Sequence, residues 1–281
     1  MFGSYAAELL KLRNRGAVWV LGGAGLALSL TFGYLLPYLG YVTGDANPQT
    51  QGVTPEQVLA GVLPEAVVAN TIGGFAIFAG ALALVLGALV VGGEYGWGTL
   101  KTLLTQRPGR LTVLGAQLLA LATVLAGWVL AIFAACALAG MGIALIEDAP
   151  MTWPAAADLA TGLAGGWLVL VTWGLAGALL ATLFRGVALP IGLGVVWILG
   201  VETLLAGVVA SVLPDLQVVA DALPGVNAGS LVYAVTQAAP GQLPPGVTDA
   251  VTGTRAVLTL LCYAAVFIAV TAVTLRRRDV A

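Results

Sequence analysis

The sequence contains no histidine and few charged residues. Its 281 residues include 11 Lys plus Arg and 13 Asp plus Glu, so that only 9% are charged, whereas 60% are apolar. Soluble domains carry roughly 25% charged residues, so this chain lacks the polar surface that a water-soluble fold requires. Without histidine, a Ser-His dyad, a histidine-ligated zinc site and a histidine-ligated haem are excluded. The composition therefore predicts an integral membrane protein.

The two cysteines give no sign of a redox or metal site. Cys136 and Cys262 each lie within an apolar run, which suits small buried side chains better than a disulfide framework or an iron–sulfur site. One phosphate-loop spacing, from Gly93 to Gly98, has Thr99 where that motif requires lysine. We therefore expect no catalytic residue, no metal and no cofactor in this chain, and no nucleic-acid partner.

Six charge-poor apolar runs are each long enough to form a membrane-spanning helix. A bilayer core of about 30 Å requires roughly 20 helical residues, and these runs are too long and too rich in Ala, Leu and Gly for the strands of an outer-membrane barrel. We predict an all-α polytopic membrane protein in which residues 1–281 form a single transmembrane domain. The predicted spans are residues 17–39, 67–92, 112–145, 160–183, 187–213 and 256–275.

Lysine and arginine are distributed unequally between the connections. Ten of the 11 basic residues precede the first span or follow the second, fourth or sixth. Arg255 is the only basic residue in the opposite connections, which are acidic. Because basic loops remain on the cytoplasmic side, we predict a multi-pass protein of the cytoplasmic (inner) membrane with both termini in the cytoplasm.

The N-terminal segment has a helical pattern of its own. Apolar residues in positions 2–14 recur at helical spacing, which predicts an amphipathic helix lying in the inner membrane interface; the alternative is a merely charged flank. The apolar set consists of Phe2, Tyr5, Leu9 and Leu12, and the charged set of Glu8, Lys11 and Arg15.

The connection before the last span is the longest one. Residues 214–254 contain five prolines separated by apolar stretches, and a disordered segment would be more polar. This composition predicts short helices that lie on the outer membrane face or re-enter it.

Two features inside the spans have open interpretations. Glu202 falls near the middle of the fifth span, where a carboxylate is expensive and should face protein or water. It is either a polar contact in a translocation path or subunit interface, or a protonated group that serves packing alone. The spacing of Gly162 and Gly166 allows close helix approach, although 38 glycines make a coincidence the simpler explanation.

The connection between spans two and three is the most informative stretch. Apolar residues mark one helical face of residues 94–104, and Glu94, Gly98, Lys101 and Thr105 mark another. This pattern predicts a short helix parallel to the membrane that docks a soluble partner. The alternative on physical grounds is an ordinary basic loop that only sets the topology.

The same connection resembles a motif of the permeases of ABC-2 type transporters. Residues 94–104 read EYGWGTLKTLL and are followed by Arg107 and Arg110, which matches the family pattern E-x-x-x-G-T-[LI]-[KR]-x-L-L followed by an arginine. The layout of six spans, both ends inside and a basic amphipathic entry helix is also similar to that family.

The resemblance implies the membrane-spanning subunit of an ATP-binding cassette exporter. Its partners would be a separate ATPase subunit, which carries the ATP and Mg²⁺, a second permease copy or a paralogue, and membrane lipids. The connection would be a cytoplasmic coupling helix that sits in a groove of the ATPase. The implied coupling residues are Glu94, Gly98, Thr99, Lys101, Arg107 and Arg110.

Other functions fit the sequence less well. The main alternative is a gradient-driven secondary transporter or channel, but that class predicts several intramembrane charges, and Glu202 is the only one. An intramembrane enzyme would need His, paired intramembrane Asp or a membrane Lys. A structural anchor has no use for an organised segment at residues 94–110.

Overall fold

The computed structural model describes residues 2–44, 53–96, 109–212, 217–236 and 243–277. All regular secondary structure within these residues is helical, and six of the helices are long and apolar enough to cross a membrane. The prediction of an all-helical chain with six membrane-spanning helices is therefore confirmed.

The described residues form six long helices and four short ones. In chain order they are α1 (Phe2–Arg13), α2 (Gly16–Thr43), α3 (Pro55–Ala60), α4 (Pro64–Tyr95), α5 (Arg110–Ile146), α6 (Ala156–Phe184), α7 (Ala188–Val196, continued by Trp197–Val201 and Glu202–Val212), α8 (Gln217–Asp221), α9 (Pro224–Thr236) and α10 (Gly253–Arg277). Their order agrees with the predicted spans, and the assignment of the chain to a single transmembrane domain stays a prediction.

Helices α4 and α6 form the centre of the bundle. In their most apolar stretches 67% and 61% of the residues are buried, compared with 17% in α2 and in α10 and 22% in α7. The outer helices α2, α7 and α10 therefore leave broad apolar faces uncovered by this chain, as expected for helices that contact lipid or another apolar surface.

The contact between α4 and α6 depends on glycines that bring the two backbones together. A Cβ on Gly87 of α4 would collide with the carbonyl oxygen of Gly174, and a Cβ on Gly177 of α6 would collide with that of Leu84. Small residues at such crossings permit close approach of membrane helices, so these positions tolerate no larger side chain without separation of the central pair.

Gly162 and Gly166 of α6 also lie at a contact with α4, but there each glycine faces a side chain rather than the backbone. A Cβ on Gly162 would lie 2.7 Å from Cγ1 of Val68, and a Cβ on Gly166 would lie 3.0 Å from Cε2 of Phe75. Both glycines of α6 therefore accommodate side chains of α4, whereas the close backbone approach occurs at Gly174 and Gly177.

Three of the spanning helices contain a wider π-helical turn. These turns are Thr31–Leu35 in α2, Phe75–Ala79 in α4 and Trp197–Val201 in α7. A π turn breaks the regular α-helical hydrogen-bond ladder and often marks a functional position. The turns of α4 and α7 both border the cavity described below.

Helix α1 packs against α5 through a face that includes polar residues. Glu8 and Leu12 are its buried residues, and the hydroxyl of Tyr5 forms a 3.0 Å hydrogen bond with that of Thr123 in α5. Phe2, which was predicted to share the apolar face with Leu12, is exposed. Exposure of Phe2 is compatible with an apolar face turned toward the membrane, so the position of α1 in the inner membrane interface stays a prediction.

The segment before the last span contains two short helices, α8 and α9. Residues Val226 to Val232 of α9 are buried, and α9 contacts α6, α10 and the π turn of α4. A Cβ on Gly229 would collide with the carbonyl oxygen of Gly246, so the following loop also lies directly against α9. The predicted short helices are thus present within the described part of this segment, and α9 packs into the bundle.

Candidate functional site

One end of the bundle carries a cluster of charged residues that includes Glu94. Lys11 of α1 donates a hydrogen bond to Oε1 of Glu94 at the end of α4, and the same ammonium group lies 2.7 Å from Oε2 of Glu8. Glu94 is 3% exposed and Glu8 is 7% exposed. One ammonium group is thus shared by two buried carboxylates, an arrangement that we call the Lys11 clasp.

A second basic residue of the same region also holds the end of α4. Arg15, between α1 and α2, donates a 2.8 Å hydrogen bond from Nη1 to the carbonyl oxygen of Leu89. Its guanidinium lies so close to Gly93 that a Cβ there would collide with Nη2. A cation near the C-terminal end of a helix is favoured by the helix dipole, so Arg15 and the Lys11 clasp both join the N-terminal segment to α4.

Arg110 begins α5 and reaches a different helix. It donates a 3.3 Å hydrogen bond to the carbonyl oxygen of Leu275 near the end of α10. Tyr95, the neighbour of Glu94, lines the same small cleft as Arg110 and Leu275. The two ends of the predicted coupling segment therefore lie at one end of the bundle, each attached to a different helix.

The other predicted coupling residues lie outside the described residues. They are Gly98, Thr99, Lys101 and Arg107. The structure therefore places Glu94 and Arg110 alone of the predicted set, and the coupling role of all six residues stays a prediction. For Glu94 the geometry indicates a contact within this chain, since its carboxylate is buried against Lys11.

Glu202 lies where α7 meets the short helix α9. It directly follows the π turn of α7, is 4% exposed, and accepts a hydrogen bond on Oε1 from the backbone N–H of Gly225 near the start of α9. The N–H of Val226 and the indole of Trp197 also face the carboxyl group. Glu202 therefore caps the N-terminus of α9, where a negative group is stabilised by the unpaired N–H groups and the helix dipole.

A cavity of about 240 Å³ adjoins Glu202. It lies between α4, α6, α7, α8, α9 and the loop after α9, and its wall includes Trp173, Thr203 and Gly246. Oε2 of Glu202 is buried and has no hydrogen-bond partner within the described residues. The cavity thus adjoins a buried acceptor atom in a mostly apolar surrounding.

A larger cavity of about 540 Å³ lies between α2, α3, α4 and the loop after α9. Its wall includes the stacked rings of Phe32 and Phe78, whose centroids are 6.2 Å apart, and the backbone of Gly33. Asn70, which also lines it, donates a 2.8 Å hydrogen bond to the carbonyl oxygen of Gly61. The amide of Asn70 is therefore held by the chain at the edge of this cavity.

Several residues of these sites were not identified from the sequence as partners. In the sequence, Lys11 and Arg15 indicate only the membrane orientation and the amphipathic pattern of the N-terminal segment, and nothing distinguishes Gly225 from the other glycines. A signal was present in one case, because a buried carboxylate at the end of a span requires a cation, and the basic segments predicted on that side include the N-terminus and residues 101–110. No periodicity within one helix predicts which of them supplies it.

The described residues contain no group of three or more Cys, Asp or Glu side chains arranged to hold a metal ion. A comparison with protein-family models matches residues 5–280 to a family described as ABC-2 family transporter protein. No curated protein sequence gives a significant match.

Proposed function

Because the chain belongs to the ABC-2 transporter family, we propose that it is the membrane-spanning permease subunit of an ATP-binding cassette exporter. It moves a substrate across the cytoplasmic membrane with energy from ATP that a separate ATPase subunit hydrolyses with Mg²⁺. The observation that carries this proposal is the family match over residues 5–280 of a chain with six membrane-spanning helices. The gradient-driven alternative lacks a comparable observation.

The proposed topology places the charged end of the bundle in the cytoplasm. The Lys11 clasp, Arg15 and Arg110 lie at this end, and the positive-inside rule assigns such an end to the cytoplasmic side. Both termini, α1 and the segment between α4 and α5 then lie on the cytoplasmic side, and the segment between α4 and α5 faces the ATPase. The acidic connections and the region of α8 and α9 face the outside.

The proposed coupling uses the attachment of this segment to two helices. ATP-driven closure of the ATPase dimer displaces residues 94–110, and the displacement enters α4 through Glu94 and α5 through Arg110. Since α4 packs against α6 at the centre of the bundle, a shift of α4 relative to α6 changes the central pair and moves the spans between inward-facing and outward-facing states. A mechanism of this kind needs two alternative packings rather than a catalytic residue.

In this mechanism Glu94 and Lys101 have separate roles. Glu94 holds the segment to α1, because its carboxylate is buried against Lys11. Lys101 and Arg107 supply the contacts with an acidic surface of the ATPase, while Gly98 and Thr99 give the segment its tight helical geometry. A second permease copy or paralogue completes the transporter and covers part of the uncovered apolar faces.

The test is co-purification of this chain with the soluble ATPase encoded beside it. The wild-type chain is expected to form a stable complex in detergent and to stimulate ATP hydrolysis. Lys101→Glu should weaken the complex about tenfold or more, since a charge reversal at an interface places like charges together, and should leave the thermal unfolding of the permease alone unchanged. Arg277→Glu is the matched control, because Arg277 is an exposed basic residue at the end of α10.

Two outcomes would contradict parts of the proposal. Equal weakening by Lys101→Glu and Arg277→Glu would refute the docking role of residues 94–110. Absence of any complex with the ATPase, together with flux that follows an ion gradient in proteoliposomes, would replace the exporter by the gradient-driven transporter.

A further inference from the structure

The cavity beside Glu202 combines an apolar wall with a single carboxylate. Ala76, Ile198 and Val247 supply apolar parts of the wall, and Glu202 borders the same space. Its volume of about 240 Å³ is slightly below the roughly 300–1,000 Å³ of pockets for drug-sized ligands. The space therefore suits a small molecule with an apolar body.

The charge of Glu202 is only partly balanced by the protein. The N–H of Gly225 donates to Oε1, and the start of α9 contributes the equivalent of roughly half a positive charge. Within the described residues no Lys or Arg forms an ion pair with Glu202, and Arg255, on the neighbouring helix α10, is paired with Asp221 at 3.7 Å. Part of the negative charge is therefore left for a further cation.

Glu202 lines the cavity, and its Oε2 atom is the oxygen that lacks a partner in the part of the chain that the structure describes. It is buried and accepts no hydrogen bond within the described residues. This is a different situation from Glu94, whose carboxylate is bound by Lys11. An unpaired carboxylate oxygen buried at membrane depth is costly, and a cationic group in the adjoining cavity removes that cost.

The surroundings favour an organic cation over an inorganic one. A bare Na⁺ or K⁺ ion requires several oxygen ligands, whereas most of the cavity wall is apolar. The indole of Trp173 lines the cavity and that of Trp197 lies beside the carboxyl group. Indole rings attract ammonium groups that have lost part of their hydration.

We propose that this cavity is a binding site for a small organic ammonium ion, with its charged group next to Oε2 of Glu202 and its apolar body against the wall. Gly225 keeps the site open, because a Cβ there would lie 2.8 Å from Oε2 of Glu202 and would displace the carboxylate. Binding is a property of this chain itself, and it holds whether or not an ATPase partner drives transport.

The test uses a pair of probes that differ in charge and hardly in shape. Choline is the cation, and 3,3-dimethylbutan-1-ol is its uncharged isostere. The full chain is reconstituted in nanodiscs without the ATPase, and binding is followed by the quenching of tryptophan fluorescence and by the shift of the thermal unfolding midpoint. The wild-type chain is expected to bind choline about tenfold more tightly than the isostere, as for a partly desolvated ammonium group.

Three variants locate the site. Glu202→Gln keeps the size of the side chain and should reduce the preference for choline to within about twofold. Asp221→Asn, the matched control, removes a nearby carboxylate that is already paired with Arg255 and should keep the preference. Ala250→Trp, at an exposed residue that lines the cavity, should block both probes and leave Glu202 intact.

The proposal is overturned by any of three results. Equal affinity of the wild-type chain for choline and its isostere would show that no charge is recognised. Retention of the preference in Glu202→Gln would place the cation elsewhere. If NaCl raises the thermal unfolding midpoint as much as choline does, and Glu202→Gln abolishes that rise, the site binds an inorganic ion. Since none of these measurements involves ATP, their failure is distinct from failure of the ATPase complex.

Discussion

Removal of the Lys11 ammonium group is expected to destabilise the permease more than removal of Glu94. Lys11→Met keeps much of the apolar stem and deletes the charge that Glu8 and Glu94 share. Glu94→Gln deletes one carboxylate and leaves Lys11 with Glu8 as its partner. The order of the two effects therefore tests the geometry of the clasp and not merely its existence.

The expected loss in the free energy of unfolding follows from the burial of the charged groups that remain after each substitution. Breaking a buried ion pair by removal of one partner costs roughly 3–5 kcal/mol, because an uncompensated charge remains inside. Lys11→Met leaves two such carboxylates, of which Glu94 is 3% exposed and Glu8 is 7% exposed, so the upper part of this range is expected. Glu94→Gln should cost about 1–3 kcal/mol, the range for a buried hydrogen-bonding partner that is lost.

The assay is reversible unfolding of the isolated permease in mixed micelles. Arg13→Met is the matched control, because Arg13 is a basic residue of the same helix with an exposed side chain, and a surface substitution should change stability by no more than about 0.5 kcal/mol. The charge exchange, Lys11→Glu with Glu94→Lys, should restore part of the stability lost by Lys11→Glu alone. The reasoning is refuted if Lys11→Met behaves like Arg13→Met, or if Glu94→Gln is the more destabilising substitution.

Two further predictions concern positions where only glycine fits. Gly177→Ala should destabilise the permease by about 1–3 kcal/mol in the same assay, because its Cβ would collide with the carbonyl oxygen of Leu84. The control is Gly127→Ala, in open space on the neighbouring helix α5, which should be neutral or slightly stabilising. Equal effects of the two substitutions would contradict the close contact of α4 and α6. Gly229→Ala should lower the unfolding midpoint by pushing α9 away from the carbonyl oxygen of Gly246, and a midpoint equal to that of the wild type would show that this contact is absent.

The number of spanning helices could be predicted from the sequence because the bilayer imposes a length on each apolar run. A run between two charged residues either reaches roughly 20 residues or does not, and five of the six helices contain such a run. The exception is α7, which Glu202 interrupts and which was predicted from its apolar residues on both sides of that charge. The π turns at Thr31–Leu35, Phe75–Ala79 and Trp197–Val201 could not be predicted in this way, because they do not change the hydropathy or the length of a run.

Contacts between helices were harder to predict because glycine is abundant. The spacing at Gly162 and Gly166 drew attention, yet the closest backbone approach involves Gly87, Gly174 and Gly177. Two glycines four residues apart show that one face of the helix lacks bulky side chains at that point. It does not show which helix lies against that surface, since the partner residue comes from a distant part of the chain.

The buried carboxyl groups of Glu94 and Glu202 show the same limit in the functional site. Glu94 and Glu202 are about equally buried, at 3% and 4% exposure. Lys11 neutralises the first, whereas the second faces backbone N–H groups, an indole and a cavity and forms no ion pair within the described residues. In the sequence Glu94 belongs to the docking pattern and Glu202 is an isolated charge in a span. In the structure Glu94 is paired with Lys11, and Glu202 lines a cavity and has one oxygen without a hydrogen-bond partner within the described residues. The capacity to bind a ligand therefore depends on which cations the fold brings to each carboxylate, and a hydropathy pattern does not contain that information.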